Sequence, residues 1–236
     1  MQLPIAARPL FLAVVALALV LAACGGKHYA TDKNDDDYDL EAMELRNADL
    51  PEGILLSQGE TFDNKDWAQV VGADDPDVTE KALDRQGRLQ GHVAFYTWDN
   101  PVEHLGHVIS VTVQSTLFVD AAAASDSLTG QHNGDGLCGL LINKTDLPEE
   151  FPVPSLGDQA IGLRVVQNQQ NFGKSVDIVI CFRTGRVVNG IQQSGLEGTE
   201  DVALAVKLAQ RMLQRVDSAF AGKADPLDEP AVSPGG

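Results

Sequence analysis

The stretch from His107 to Phe118 constrains the fold most, because its apolar and polar residues alternate along the chain. Ile109, Val111 and Val113 alternate with serine, threonine and glutamine, which is the period of a half-buried β-strand. Successive side chains of a strand point to opposite faces of its sheet. The stretch therefore predicts a sheet with one apolar face and one polar face.

Similar patterns predict further strands and helices along the chain. The predicted strands are residues 91–98, 107–118, 159–167, 176–183 and 187–193. An alanine-rich helix is predicted at 120–128 with Asp120 as its N-cap, and two short helices are predicted at 64–71 and 77–86. The longest helix is predicted at 200–220 with Thr199 as its N-cap, because apolar residues recur there at spacings of four and three. Antiparallel hairpins followed by helices indicate an α+β fold, with a twisted antiparallel sheet packed on one side by helices.

The order of elements is repeated along the chain. The tetrapeptide DLPE precedes both passages, at 49–52 and at 146–149, so we expect an internal duplication of a β-hairpin–helix unit. The predicted domain covers residues 46–221, with two similar halves at about 46–130 and 145–221. A disordered tail is expected at 222–236, which is rich in proline, glycine and acidic residues.

An apolar run occupies residues 10–23 near the start of the chain. As a helix it would span about 21 Å, which is shorter than a bilayer core of about 30 Å but suits a signal peptide. The run ends in LAAC at 21–24, which resembles the lipobox of bacterial lipoproteins. That resemblance implies that residues 1–23 are removed and that the thiol of Cys24 carries a lipid. A plain secretory signal or an N-terminal membrane helix is the alternative.

Acidic residues outnumber basic residues by 34 to 17, which gives a formal net charge of −17. Such a surface repels nucleic acid and anionic headgroups, so we expect no nucleic-acid partner and attachment to a membrane through lipid alone. Residues 24–45 are polar, acidic and poor in branched apolar residues. This composition predicts a disordered tether behind the lipidated Cys24.

Two cysteines remain after Cys24, namely Cys138 and Cys181. An even pair in an exported protein predicts a disulfide bond. Two unpaired buried thiols are the alternative.

Metal sites are suggested by two segments, and both depart from the required patterns. Asp32, Asn34 and Asp36 match early positions of a calcium-binding EF-hand loop, but Asp37 stands where glycine is needed and Met43 where glutamate is needed. We therefore expect a solvated acidic segment there.

The segment EHLGH brings Glu103, His104 and His107 together, with His92 on a neighbouring strand. These are zinc-binding residue types, but their spacing is not that of zinc proteases, so exposed turn histidines are expected. No metal or cofactor is predicted.

No motif of a known nucleophile or nucleotide site is present, and no catalytic residue is predicted. An envelope hydrolase that uses carboxylates such as Asp158 or Glu197 is the alternative. The glycine-rich loop at 130–139, with His132 and Asp135, would either line a binding site or connect the two halves. The aromatic residues that could form a carbohydrate platform are Phe95, Tyr96, Trp67 and Trp98.

The segments SLGDQAIGLR and VICFRTGRVVNGI, followed by the long C-terminal helix, resemble extracytoplasmic sensor-like domains of bacterial lipoproteins. The extracellular sensor domain of certain mycobacterial serine/threonine kinases is similar. The resemblance implies a disulfide-stapled antiparallel sheet with flanking helices and a ligand-binding cleft.

These observations predict a lipid-anchored extracytoplasmic lipoprotein that binds or senses and is not an enzyme. Its place would be the outer face of the cell membrane, or the outer membrane in a host that has one. Its partner would be a small ligand or another envelope protein. A structural role in envelope assembly is a further alternative.

Overall fold

Seven β-strands form one antiparallel sheet in the computed structural model, which describes residues 29–71, 74–129, 148–169 and 173–223. The strands are β1 (Ile54–Asp63), β2 (Arg88–Trp98), β3 (Val108–Phe118), β4 (Glu149–Phe151), β5 (Gln159–Gln169), β6 (Gly173–Thr184) and β7 (Val187–Leu196). The helices are α1 (Asn64–Val70), α2 (Pro76–Arg85), α3 (Ala121–Thr129) and α4 (Val202–Phe220). Within the described ranges, the strand order is β1-β2-β3-β7-β6-β5-β4. The predicted α+β class with an antiparallel sheet is confirmed.

Six of the seven strands form two three-stranded meanders, β1–β2–β3 and β5–β6–β7, which meet where β3 pairs with β7, and β4 extends the sheet beside β5. In that central pair Val113 lies opposite Ile191 and Thr112 lies opposite Gln192, so apolar side chains share one face and polar side chains share the other. The turn between β6 and β7 is tight because Gly185 takes a φ of 62°, which glycine adopts without strain.

The first face of the sheet, defined as the face that α4 covers, carries the main core. Apolar residues of β2, β3, β6 and β7 pack there against one side of α4. Its fully buried members include Tyr96, Val111, Val113, Ile178, Ile180, Phe182, Ile191, Leu208 and Met212. The helix begins with Asp201 as its N-cap, whose carboxylate accepts a hydrogen bond from the backbone N–H of Leu204 at 2.9 Å. The cap is therefore not the predicted Thr199.

Residues 29–50, which we call the N-terminal strap, cover the rest of the first face. Tyr38, Leu40, Met43 and Leu45 are buried in the same core cluster. The hydroxyl of Tyr96 donates a 2.7 Å hydrogen bond to the backbone oxygen of Leu45. The tether predicted for 24–45 therefore differs from the structure over residues 29–45, because apolar residues scattered along the segment reach the core.

Ion pairs from two of its acidic residues, Asp35 and Asp49, also hold the strap. The buried carboxylate of Asp49 accepts hydrogen bonds from Arg211 at 2.7 Å and from Arg215 at 2.9 Å, both on α4. Burial alone would raise the pKa of Asp49, but these bonds and the backbone N–H of Arg46 outweigh it and lower that pKa. Asp35 pairs with Arg186 of the β6–β7 turn.

The second face of the sheet is covered in two separate places. Helices α1 and α2 pack over β1 and β2 in a small cluster of Phe62, Trp67 and Leu83. Helix α3 packs over β5, β6 and β7 in a second cluster that includes Leu128, Val179 and Val188. Helices thus lie against both faces, and not against one face as the sequence predicts.

The predicted duplication is not shown. In a duplicated unit, the antiparallel strands β3 and β7 would be related by a two-fold axis perpendicular to the sheet. The helices that follow them, α3 and α4, would then lie on the same face, whereas they lie on opposite faces. Within the described residues, no helix is long and apolar enough to cross a membrane.

Candidate functional site

A cleft of about 340 Å³ opens on the second face, beside α1 and over β1, β2, β3 and β7. Its size falls at the lower end of the range of about 300–1,000 Å³ that is usual for small-molecule sites. The side chains that line this cleft are Gln58, Glu60, Phe62, Trp67, Val70, Val93, Phe95, Ser110, Thr112, Gln114, Gln192 and Ser194.

Strand alternation brings these side chains together from distant parts of the chain. Phe95 on β2 lies opposite Thr112 on β3, and Thr112 lies opposite Gln192 on β7. Ser110 lies opposite Ser194 in the same pair of strands. The same strands therefore bury every second side chain beneath α4 and line the cleft with the alternate side chains.

One wall of the cleft is apolar and well supported. Trp67 of α1 packs on Phe62 with their ring centroids 5.6 Å apart, and the guanidinium of Arg88 lies 5.7 Å from the centre of the Trp67 ring. Asn64 accepts a 2.7 Å hydrogen bond from Arg88, which ties α1 to β2. Phe95 is 39% exposed, so its ring presents apolar surface to whatever occupies the cleft.

The floor of the cleft consists of amide and hydroxyl groups. Gln114 is fully buried and its Nε2 donates a 2.6 Å hydrogen bond to Thr116. Its Oε1 has no hydrogen-bond partner among the described residues. Beside it, Gln192 donates to the Ser194 hydroxyl at 3.4 Å, and that hydroxyl donates to the buried carboxylate of Asp177 at 2.5 Å.

Charge is scarce in the cleft. Glu60 is the one charged residue of the lining, and it is exposed on the edge strand β1. The lining contains no lysine, arginine, histidine or cysteine. The arrangement can therefore provide apolar contact and neutral hydrogen bonds, and it offers no positive charge to an anion.

A second, more open depression lies at the end of the sheet where β2 turns into β3. His104 stacks on Trp98 with their ring centroids 3.8 Å apart, and the His107 ring lies 6.4 Å from that of His104. Glu200 borders the depression and accepts a 2.9 Å hydrogen bond from Arg164. Burial alone would raise the pKa of Glu200, but Arg164 and nearby backbone N–H groups outweigh it and lower that pKa.

The other candidate zinc residue, His92, lies elsewhere in the fold. It is buried on the first face, where its Nδ1 is 3.7 Å from the carboxylate of Glu44 in the strap. Burial raises the pKa of Glu44, and the neighbouring His92, Ser115 and Arg46 offset that rise only in part. Across the described ranges, no group of three histidine, cysteine, aspartate or glutamate side chains could hold a metal ion.

The acids considered for calcium binding or hydrolysis are engaged separately. Asn34 donates a hydrogen bond to Asp37. Asp158 pairs with Arg183 at 3.1 Å and accepts from the backbone N–H of Gly185, just before β7.

Glu197 follows β7 and lies 3.5 Å from Lys174. Since Gly185 and Glu197 flank the two ends of β7, Asp158 and Glu197 do not face each other across one site.

Several predicted features lie outside the described residues. These are the signal peptide at 1–23, Cys24, Cys138, the loop with His132 and Asp135, and the predicted tail beyond residue 223. Cys181 is fully buried on β6, among residues that pack against α3. The lipid on Cys24 and the bridge between Cys138 and Cys181 remain predictions.

The sequence predicts some of the residues that line the cleft but not those at its centre. The aromatic residues Trp67 and Phe95 are candidates by sequence, whereas Gln114, Gln192 and Ser194 are not connected to a site. The available signal is the kind of polar residue: the alternating polar positions of β3 and β7 carry amides and hydroxyls and no charge. Solvated strand faces usually carry charged residues, so this choice favours hydrogen bonding in a sheltered place.

No protein-family model matches the sequence, and the comparison with curated proteins finds no match. The chain is similar in structure to the extracellular domain of PknH from Mycobacterium tuberculosis, with 10% sequence identity and a TM-score of 0.47. The similarity covers 80% of this chain and 99% of that domain. At this level of similarity, no function is transferred from that domain to this chain.

Proposed function

We propose that this protein is a lipid-anchored extracytoplasmic binding protein, without enzymatic activity, that holds a small ligand in the cleft. The observation that carries the proposal is the cleft itself, in which an apolar wall faces a floor of amides and hydroxyls. A concave apolar site with a few convergent polar groups is the usual form of a small-molecule site.

The chemistry of the lining favours binding over catalysis. Proton transfer near neutral pH needs a group such as histidine or a tuned carboxylate beside a reacting atom. The polar lining groups are mainly glutamine, serine and threonine, and the lining has no histidine to activate the Ser194 hydroxyl, which donates to Asp177. Such groups orient a ligand through hydrogen bonds and leave its covalent bonds intact.

The shape of the second face favours a small ligand over a docked protein. A docking face would be a flat apolar patch of several hundred Å². Here the exposed apolar side chains, Val70 and Phe95, stand at the rim and wall of a concave site. The lipobox-like LAAC at 21–24 supports the placement outside the cytoplasm.

Mass spectrometry of the full-length protein, extracted from the membranes of its native host, tests both parts of the proposal. Under denaturing conditions, we expect a mature chain that begins at Cys24 with added acyl mass, and the Cys24→Ala variant should lack that mass. Under native conditions, we expect an additional small molecule on the protein.

A cleft-filling variant connects that molecule to the cleft. Thr112→Trp places a large ring between Phe95 and Gln192 and should remove the bound molecule. Val78→Trp adds the same ring at an exposed position of α2 and should retain it. Unacylated wild-type protein, or a small molecule that persists in Thr112→Trp, would contradict the proposal.

A further inference from the structure

We infer that the cleft selects an uncharged ligand that donates one hydrogen bond to the Oε1 atom of Gln114, an inference that rests on the proposed function. Gln114 is fully buried at the base of the cleft. Its Nε2 donates the 2.6 Å bond to Thr116, which places Oε1 on the other side of the amide group. Among the described residues no group donates to that oxygen.

A buried acceptor without a partner is unusual in a native protein. Nearly all buried polar atoms have a hydrogen-bond partner, and the exceptions mark a function or a missing group. The hydroxyls of Ser110 and Thr112 project from the same strand, yet neither bonds to Gln114. The missing partner is a donor, and in the proposed complex an O–H or N–H group of the ligand would supply it.

The apolar wall determines the rest of the ligand. Val93 lies opposite Gln114 on β2, and the half-exposed Phe95 and Trp67 line the same cleft. A ring or a short hydrocarbon chain placed there would exchange water for apolar contact. The ligand thus combines a compact apolar body with at least one donor group.

The ligand's charge is limited by the same set of side chains. An anion would meet no cation in the lining, and it would approach a chain with a formal net charge of −17. A cation would lose its hydration against the apolar wall, while the one lining carboxylate, Glu60, remains exposed at the edge. An uncharged molecule meets neither cost.

Three compounds that share one ring test this selectivity. N-methylcyclohexanecarboxamide has one N–H donor, N,N-dimethylcyclohexanecarboxamide has none, and cyclohexanecarboxylate is an anion. Binding is followed by fluorescence of the full-length acylated protein in detergent, in a Trp98→Phe background that leaves Trp67 as the only tryptophan. The free concentration of each compound is measured by equilibrium dialysis, so uptake by detergent alters neither the comparison between compounds nor the comparison between variants.

We expect the N-methyl amide to bind about tenfold more tightly than the dimethyl amide, since one buried hydrogen bond separates them. The carboxylate should bind at least about tenfold more weakly than the N-methyl amide. In Gln114→Met, which keeps the length of the side chain and removes the acceptor, the two amides should bind about equally.

Equal binding of the two amides to the unsubstituted cleft would overturn the inference, and this measurement needs no folded Gln114 variant. A preference that persists in Gln114→Met, or tight binding of the carboxylate, would also overturn it. If none of the compounds binds while the native protein carries a small molecule lost in Thr112→Trp, the ligand class is wrong and the proposed function stands.

Discussion

On β3, Val111 and Val113 pack into the core beneath α4, whereas their neighbours Thr112 and Gln114 line the cleft on the opposite face. The first face is closed by one long helix and the strap, beneath which both valines are fully buried. The second face is covered by helices at two separate places, and the cleft opens beside α1.

The comparison teaches that the two faces have different roles. The main core lies on the first face, whereas the second face keeps polar groups beside two smaller apolar clusters. Those groups are amides and hydroxyls rather than charges, which agrees with the proposed ligand binding.

Substituting one phenylalanine on each face gives the largest expected contrast. Phe182 is fully buried on the first face, so Phe182→Ala should reduce the free energy of unfolding by about 3–5 kcal/mol. Phe95 is 39% exposed, so Phe95→Ala should cost about 1 kcal/mol or less while it weakens ligand binding. Urea denaturation of both variants measures the difference, and similar losses would mean that the second face also carries the core.

A variant that weakens the attachment of the strap tests how much the strap contributes to the stability of the protein. Asp49→Ala removes the carboxylate that binds Arg211 and Arg215 and should cost about 2 kcal/mol. Because the pKa of Asp49 is lowered in the folded protein, its stabilisation is present above the ordinary pKa of aspartate and is lost as the pH falls through the lower folded value. Urea denaturation at several pH values measures both effects, and Asp49→Asn, which keeps the size but not the charge, is the control.

The carboxylate of Glu44 is buried in the first face, where burial disfavours its charged form. Substituting Glu44 gives the smallest expected effect. Because burial raises the pKa of Glu44, the folded protein holds that proton more tightly than the unfolded chain. The free energy of unfolding should therefore fall as the pH rises from the ordinary glutamate pKa through the raised folded value. Glu44→Gln should remove this fall and be at least as stable as wild type at neutral pH.

Thermal unfolding from acidic to neutral pH measures this effect. Glu41→Gln makes the same chemical change at an exposed position of the strap and should leave the pH profile as in wild type. A Glu44→Gln profile that matches wild type would show that the carboxylate is well compensated by His92 and Arg46.

The elements predicted from the sequence are those whose periodicity is unbroken. The alternation of β3 and the apolar stripe of α4 both extend over most of their length, and the structure contains both elements near the expected positions. Strand β1 is not among the predicted strands because a register shift between Leu56 and Gln58 changes the face on which its apolar residues lie. Ile54 and Leu56 lie in the first-face core, whereas Phe62 lies in the cluster with α1.

The strap and the cleft depend on contacts that no local pattern reveals. The hydroxyl of Tyr29 donates to Asp217, 188 residues away, and Asp49 binds arginines of α4 that are similarly remote in sequence. The cleft requires residues of β1, α1 and β7 to meet β3, and the sheet order that brings them together is not encoded in any one segment. A single segment therefore predicts which of its residues are polar or aromatic, but not that they meet residues of other segments in one site.

The position of Tyr29 has a geometric consequence for the whole molecule. Tyr29 packs on Phe220 at the end of α4 and lies against the β6–β7 turn, so the first described residue sits at one end of the sheet. Tyr29 comes five positions after Cys24, and a chain of that length reaches at most about 18 Å. With the proposed lipid on Cys24, the β6–β7 turn would stand close above the bilayer with little freedom to tumble. The hairpin that carries Trp98 and His104 would then point outward, about 30 Å farther from the lipid surface.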